Sequence, residues 1–252
     1  MQAVRLRRAL CTPTEYPCTM RYEWMFLDAD GTLLDYDAAE RAALSESLRQ
    51  IGVPYDDAHL QTYRLHNAEL WEKLERAEVT RDTLQSERFR RLFDAFAIDA
   101  DPSAFNARYL ENLGHRADLI PGARAVLDAV RNHVELLLIT NGFSRVQRSR
   151  LAHSGLLPLF ASIVISEEVG SAKPDAAMFD AALRAAGAPR RETVLMVGDS
   201  LSSDIRGGIA CGLDTCWYNP ARAARPPDVH PTYEIGQLRQ LANIVTPSET
   251  AA

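Results

Sequence analysis

From Leu119 onward the chain alternates two patterns: PGARAVLDAVRN then VELLLIT, SRVQRSRLAHSG then SIVIS, PDAAMFDAALRAAG then TVLMVGD, and SDIRGGIACG then DTCWY. The second member of each pair is a short apolar run with little polar alternation, as a strand covered on both faces requires. The first carries apolar residues at helical spacing. Helical crossovers between parallel strands produce that order, so the class is α/β: a Rossmann-like parallel sheet with helices on both faces. Pro121 is expected in the first turn of its helix, and Gly155 and Gly187 stand where helices should stop. Trp24, Met25, Phe26 and Leu27 belong to the same sheet, being too apolar for an edge facing water. Near the end, a Pro/Arg-rich loop should lead to a short strand at Thr232 to Ile235 and a closing helix, with 246–252 a frayed tail.

About a hundred residues separate the first strand from its next partner, and they read differently. Leu44, Leu48 and Ile51 repeat at helical spacing until Gly52 and Pro54 stop the segment. Then come Leu60, Tyr63, Leu70 and Leu74, and after them Leu84, Phe89, Leu92, Phe93 and Phe96. Residues 37–116 are therefore expected to form an all-helical insert in a core made of 20–36 and 117–245. An insert entered and left through short linkers can rock over a site at the strand ends. Residues 1–19 read as a loose extension without the apolar segment of a secretion signal, and Met20 would itself make a compact start.

Charge and composition exclude several functions. A formal net charge of -6 leaves no global basic surface for tracking a nucleic-acid polymer. No run approaches the ~20 apolar residues of a membrane helix. Cys11, Cys18, Cys211 and Cys216 form no disulfide framework or zinc ribbon, which points to a reduced cytoplasmic setting. The six histidines lack metal-ligand spacing.

In an open parallel sheet the functional crevice lies beyond the carboxyl ends of the strands. The polar residues there are Asp28, Thr140 with Asn141, Ser166, and Gly198 with Asp199, followed closely by Lys173 and Asp204. Asp28 and Asp30 start on the same side of the chain, and Gly31 permits a sharp turn after them. Carboxylates so close, joined by Asp199, repel unless a cation shares them or one takes a proton. An all-oxygen set favours magnesium, with manganese as the alternative. A phosphate ester at such a site implies attack by Asp28, held at the strand terminus, with Asp30 as acid and then base. Thr140 would hydrogen-bond a phosphoryl oxygen, and Lys173 would offset the repulsion between nucleophile and phosphate. Each motif alone is ordinary turn or helix-start chemistry; their order at the ends of successive strands carries the reading.

DADGT, TNG, AKPD and GDSLSSD, in that order around a helical insert, resemble the four motifs of the haloacid dehalogenase-like superfamily over roughly Met20 to Ile244. The resemblance implies that Asp28 is the nucleophile, Asp30 the acid/base and a backbone metal ligand, and Asp199 a further metal ligand. It makes Thr140, Asn141 and Lys173 substrate binders, Asp204 a supporting acid, and the insert a cap that sets specificity. The second aspartate, which the dehalogenases of this superfamily lack, implies a phosphatase or phosphotransferase. TNGFSRVQRSRLAHSGLLPLFASIVISEEVGSAKPDAAMF and NAELWEKLERAEVTRDTLQSERF are similar to bacterial pyrimidine 5'-nucleotidases, which implies UMP, dUMP or dTMP as substrates.

Within the insert, Trp71 and Arg88 are the candidates for touching a base or its phosphate. The plainer expectation is that Trp71 is core and Arg88 solvated. The alternatives are a phosphatase for phosphoglycolate or a sugar phosphate and, in another class, a non-catalytic phosphate-sensing or partner-binding module. Of the remaining acids, Asp35 reads as a solvated linker charge and Asp37 as the N-cap of the first insert helix, with Glu40 as its box partner. The oligomeric state has no sequence signal.

Overall fold

The computed structural model describes residues 21–246 apart from Ala77. The expected N-terminal extension, Cys11, Cys18 and all of the C-terminal tail but Thr246 lie outside the described residues. Among the described residues six strands form one parallel sheet: β1 (Trp24–Leu27), β2 (Glu135–Thr140), β3 (Ser162–Ile165), β4 (Val194–Gly198), β5 (Asp214–Tyr218) and β6 (Tyr233–Ile235), in the order β3-β2-β1-β4-β5-β6. The chain builds outward from β1 on one side, then returns to add β4 on the other. The gap between β1 and β4 is therefore the topological switch point, where crossovers leave a crevice.

Strand periodicity divides the core in two. Met25, Leu27, Leu136, Leu138, Leu195 and Val197 face one layer, packed on α5 (Ala123–Val130) and α10 (Leu241–Val245). Phe26, Leu137, Ile139, Val194 and Met196 face the other. That layer is closed by α8 (Ala176–Ala185), while α6 (Ser144–His153), α7 (Ser166–Val169) and α9 (Arg206–Ala210) complete the crossovers. Cys211 and Cys216 are buried free thiols. Among the described residues no helix is long and apolar enough to cross a membrane.

Between β1 and α5 run four helices: α1 (Tyr36–Gln50), α2 (Asp57–Glu75), α3 (Arg81–Phe96) and α4 (Pro102–Gly114). They share their own core of Leu44, Leu48, Leu60, Tyr63, Phe89, Leu92 and Phe105, into which Phe143 and Val146 reach from the sheet side.

Two local expectations are corrected. The N-cap of α1 is Asp35, whose side chain accepts from Ala38 N at 3.0 Å. Asp37 lies one residue inside the helix, and it and Glu40 both accept from Arg64 of α2, at 2.7 and 2.6 Å. The acids that looked like a local capping box are used to tie α1 to α2. Pro121 stands outside its helix, because Gly122, at φ 86°, takes the N-cap and α5 begins at Ala123.

Candidate active site

Asp28 is the first residue past β1, its backbone N–H donating to Val197 O at 2.9 Å, so the sheet itself holds the carboxylate at the switch point. Lys173 reaches it from the loop after α7. Its Nζ donates to Asp28 Oδ1 (2.5 Å), Asp204 Oδ1 (2.7 Å) and Ile139 O (2.9 Å), so all three ammonium donors are used in a buried position. The Asn141 amide fixes this loop by accepting from Lys173 N at 2.8 Å and donating to Lys173 O at 3.0 Å. Asn141 thus lines the cavity and also sets the height of the lysine.

Asp199 follows β4 and accepts at Oδ1 from Thr32 Oγ1 at 3.0 Å. Two glycines make room for the acids. Gly31 has φ +83°, and a Cβ there would lie 2.5 Å from Asp199 Oδ2; a Cβ on Gly198 would lie 2.1 Å from Asp204 Oδ2. One oxygen from each of Asp28, Asp199 and Asp204 falls within 4.8 Å of the others. Asp204 Oδ2 also accepts from Ser200 N at 3.1 Å.

Three carboxylates around one lysine leave excess negative charge in a dry place. Burial pushes the Asp28 carboxyl well above the usual range; Lys173 pulls it back, and Asp204 and Asp199 push it further up. Asp199 is raised to about 6, by burial first and then by Asp204. For Lys173, burial alone would favour the neutral amine, but Asp204 and Asp28 outweigh it and raise the pKa. The cluster therefore has capacity for a second cation. Oxygen donors without histidine or thiol fit a hard divalent ion, and the crowding that raises two carboxyls is what such an ion relieves.

Asp30 lies at the cavity edge. Its Oδ2 accepts from Gln147 Nε2 at 2.7 Å and its Oδ1 from the Arg150 guanidinium. Arg150 is fully buried, donates through Nε to Arg116 O at 2.9 Å, and has its guanidinium carbon 5.8 Å from the Tyr36 ring centroid. It therefore touches both chain segments that connect α1–α4 to the sheet. Neither Gln147 nor Arg150 stood out in the sequence. The available signal was two polar residues three apart on the helix face that also carries Val146 and Leu151. Thr140 is buried beneath the cavity surface rather than lining it, and its Oγ1 accepts from Gln147 at 2.8 Å. Ser166 is likewise buried, accepting from Gly142 N at 3.0 Å.

Above the acids is a cavity of about 240 Å³ whose far wall comes from α2, α3 and α4. Trp71 is half-buried in that wall, its ring centroid 6.0 Å from that of Phe143. Arg88, expected in solvent, is 2% exposed and lines the same cavity. It shares a helical stripe with Leu84 and Leu92, and neutral oxygens of Tyr63, Asn67 and Asn106 receive its donors. The structure thus brings Asp28, Asp30, Asn141, Lys173, Asp199, Asp204, Trp71 and Arg88 to one cavity, with Thr140 just below it.

Comparison with known proteins gives a consistent picture. Residues 22–212 match the model of the haloacid dehalogenase-like hydrolases. The chain is 37% identical to the pyrimidine 5'-nucleotidase PynA of Streptococcus pneumoniae, over 88% of this chain and 94% of that protein. It is 37% identical to the pyrimidine 5'-nucleotidase YjjG of Escherichia coli, over 90% and 99%. Among solved structures it resembles the HAD-hydrolase YfnB of Bacillus subtilis, solved with magnesium bound and described as showing interdomain movement. The TM-score is 0.85 at 35% identity, covering 89% of this chain and 99% of that one.

Proposed function

This chain belongs to the haloacid dehalogenase-like hydrolase family, and on that premise we propose that it is a 5'-nucleotidase that hydrolyses pyrimidine nucleoside monophosphates such as UMP, dUMP and dTMP. The observation that carries the reading is the clamp of Lys173 on Asp28 and Asp204, with Asp199 alongside, opening into a cavity with an aromatic wall. Magnesium would be held by the carboxylates of Asp28 and Asp199 and the backbone carbonyl of Asp30, with Asp204 in support, and would withdraw charge from the phosphoryl group; manganese is the alternative ion.

Lys173 binds one oxygen of Asp28, which leaves the other to attack phosphorus. As the bond from Asp28 to phosphorus forms, the bond from phosphorus to the nucleoside 5' oxygen breaks, and Asp30 gives that oxygen its proton. The nucleoside leaves and an aspartyl phosphate remains. Asp30, now a carboxylate, takes a proton from water as the water attacks phosphorus; inorganic phosphate departs and Asp28 is restored. Gln147 and Arg150 orient Asp30 for both steps. The helices α1–α4 act as a cap that excludes bulk water and meets the leaving nucleoside. Buried free thiols at Cys211 and Cys216 favour action in a reducing compartment such as the cytoplasm.

Phosphate release with magnesium, measured across uridine, thymidine, cytidine and purine monophosphates, phosphoglycolate and sugar phosphates, tests the assignment. Pyrimidine nucleotides should lead, and Asp28→Asn should abolish release. If phosphoglycolate matched the nucleotides, the substrate assignment would be wrong; if Asp28→Asn kept turnover, the nucleophile would be. No turnover on any substrate would favour a phosphate-sensing module, although such a module has no use for Asp30.

A further inference from the structure

Arg88 is a buried cation. Among the described residues no carboxylate pairs with it; Nη1 meets Tyr63 Oη (3.2 Å) and Asn67 Oδ1 (3.3 Å), and Nη2 meets Asn106 Oδ1 (2.6 Å). A guanidinium carries five N–H donors and no acceptor. Nε has no partner, and one terminal N–H is uncommitted as well. The rings of Phe89, Tyr109 and Phe143 also lie 4.9, 5.1 and 5.8 Å from the guanidinium carbon, yet none accepts from Nε, and a buried charge without an anion is costly unless something else completes its shell. Arg88 lines the cavity opposite the acids, so the missing acceptors can come from the substrate.

Asn67 extends the pattern. It is 6% exposed and lines the same cavity, and because its Oδ1 accepts from Arg88, its amide presents Nδ2 as a donor. Beside this pair Trp71 and Phe143 offer aromatic surface. The cap end of the cavity therefore combines aromatic rings with the donors of Arg88 and Asn67, while Arg88 already engages the Asn67 oxygen.

We propose that Arg88 and Asn67 form a keto-reading site, which holds the exocyclic oxygens of a uracil or thymine ring stacked on the aromatic wall and discriminates against cytosine. This deepens the nucleotidase reading and rests on it. A 4-keto pyrimidine carries two exocyclic acceptors. Cytosine replaces one by an amine, which would face donors and leave them unpaired; such a mismatch is worth about 10- to 100-fold in kcat/KM. A second anionic group on a substrate, such as a carboxylate or another phosphate, is the rival occupant of the same guanidinium.

The test measures kcat/KM for UMP, CMP, ribose 5-phosphate and a sugar bisphosphate in the full chain with magnesium, for wild type, Arg88→Met and Asn67→Asp. Wild type should favour UMP over CMP by about 10- to 100-fold, and Arg88→Met should bring that ratio near unity. Asn67→Asp places a carboxylate where cytosine's amine can donate to it, and should turn the preference toward CMP. That variant also pairs with Arg88, so it remains informative if Arg88→Met fails to fold. A UMP to CMP ratio unchanged in the folded variants overturns the keto-reading site and leaves the nucleotidase reading standing. Equal losses on UMP, CMP and ribose 5-phosphate in Arg88→Met, with an unaltered melt, overturn it in favour of a structural role. A selective loss of bisphosphate turnover overturns it in favour of an anion receptor. Wild type that prefers ribose 5-phosphate to every nucleotide removes the nucleotidase reading itself, and this proposal with it.

Discussion

Replacing Lys173 by methionine keeps the volume of the side chain but deletes the charge shared by Asp28 and Asp204. Both acids are buried, so the variant leaves carboxylates facing one another without the ammonium. Breaking a buried pair by removing one partner costs about 3–5 kcal/mol. At roughly 2–4 °C per kcal/mol for a protein of this size, the metal-free melting temperature should fall by about 6–20 °C. The sign of the pH dependence follows from the raised carboxyls. A carboxyl whose folded pKa lies above its unfolded value contributes stability in full below the unfolded pKa, and that stability is lost as pH rises through the folded one. Asp28 and Asp199 are already raised with Lys173 present, and removing it raises Asp28 further. The deficit should thus be greatest above about pH 7 and shrink toward about pH 5, where a proton replaces the ammonium. Calorimetry in chelator at both pH values, with and without added magnesium, measures it, and kcat/KM for UMP should fall by about 10²–10³. A metal-free deficit below about 3 °C, or one that grows on acidification, would refute the view that Lys173 balances the acid cluster.

Other outcomes follow from the same geometry. In wild type the Tm gain from magnesium should increase between about pH 5 and pH 7, because Asp199, raised to about 6, holds a proton at the lower pH and exchanges it for the cation at the higher; paired melts check this. Gly31→Ala puts a Cβ 2.5 Å from Asp199 Oδ2 at φ +83°. It should cost about 1–2 kcal/mol and weaken magnesium binding, read by titration calorimetry. Arg150→Met frees Asp30 from one of its two side-chain partners; kcat for UMP should drop about 10²-fold with KM little changed, since misplacement of a reacting group acts on the chemical step.

Much of the fold was legible because the relevant physics is local. Apolar runs such as Leu136 to Ile139 and Leu195 to Val197 could only be covered strands in a sheet of this kind, and the helical repeats between them dictated the crossovers. Asp28 and Asp199 were recognisable because each directly follows such a run, and Lys173 because its motif sits between them in order. Helix ends were read less well. Asp37 and Glu40 had the spacing of a capping box, but Arg64, 27 and 24 residues away, gave both a better partner and left the cap to Asp35.

By itself the sequence determined the sheet class, the presence of helices between the first strand and the rest, and the residues that end the strands. Only the tertiary structure decided which of those polar groups meet. It placed Lys173 between Asp28 and Asp204, put Thr140 under the cavity rather than in it, and brought Gln147 and Arg150 onto Asp30. It also moved Arg88 from an expected solvent position into the cavity wall. A helical stripe tells which way a side chain faces, but three acceptors on α2 and α4 decide whether a charge can remain there. Periodicity is written in neighbouring residues, whereas the solvation of a buried charge depends on groups that the chain brings from far away.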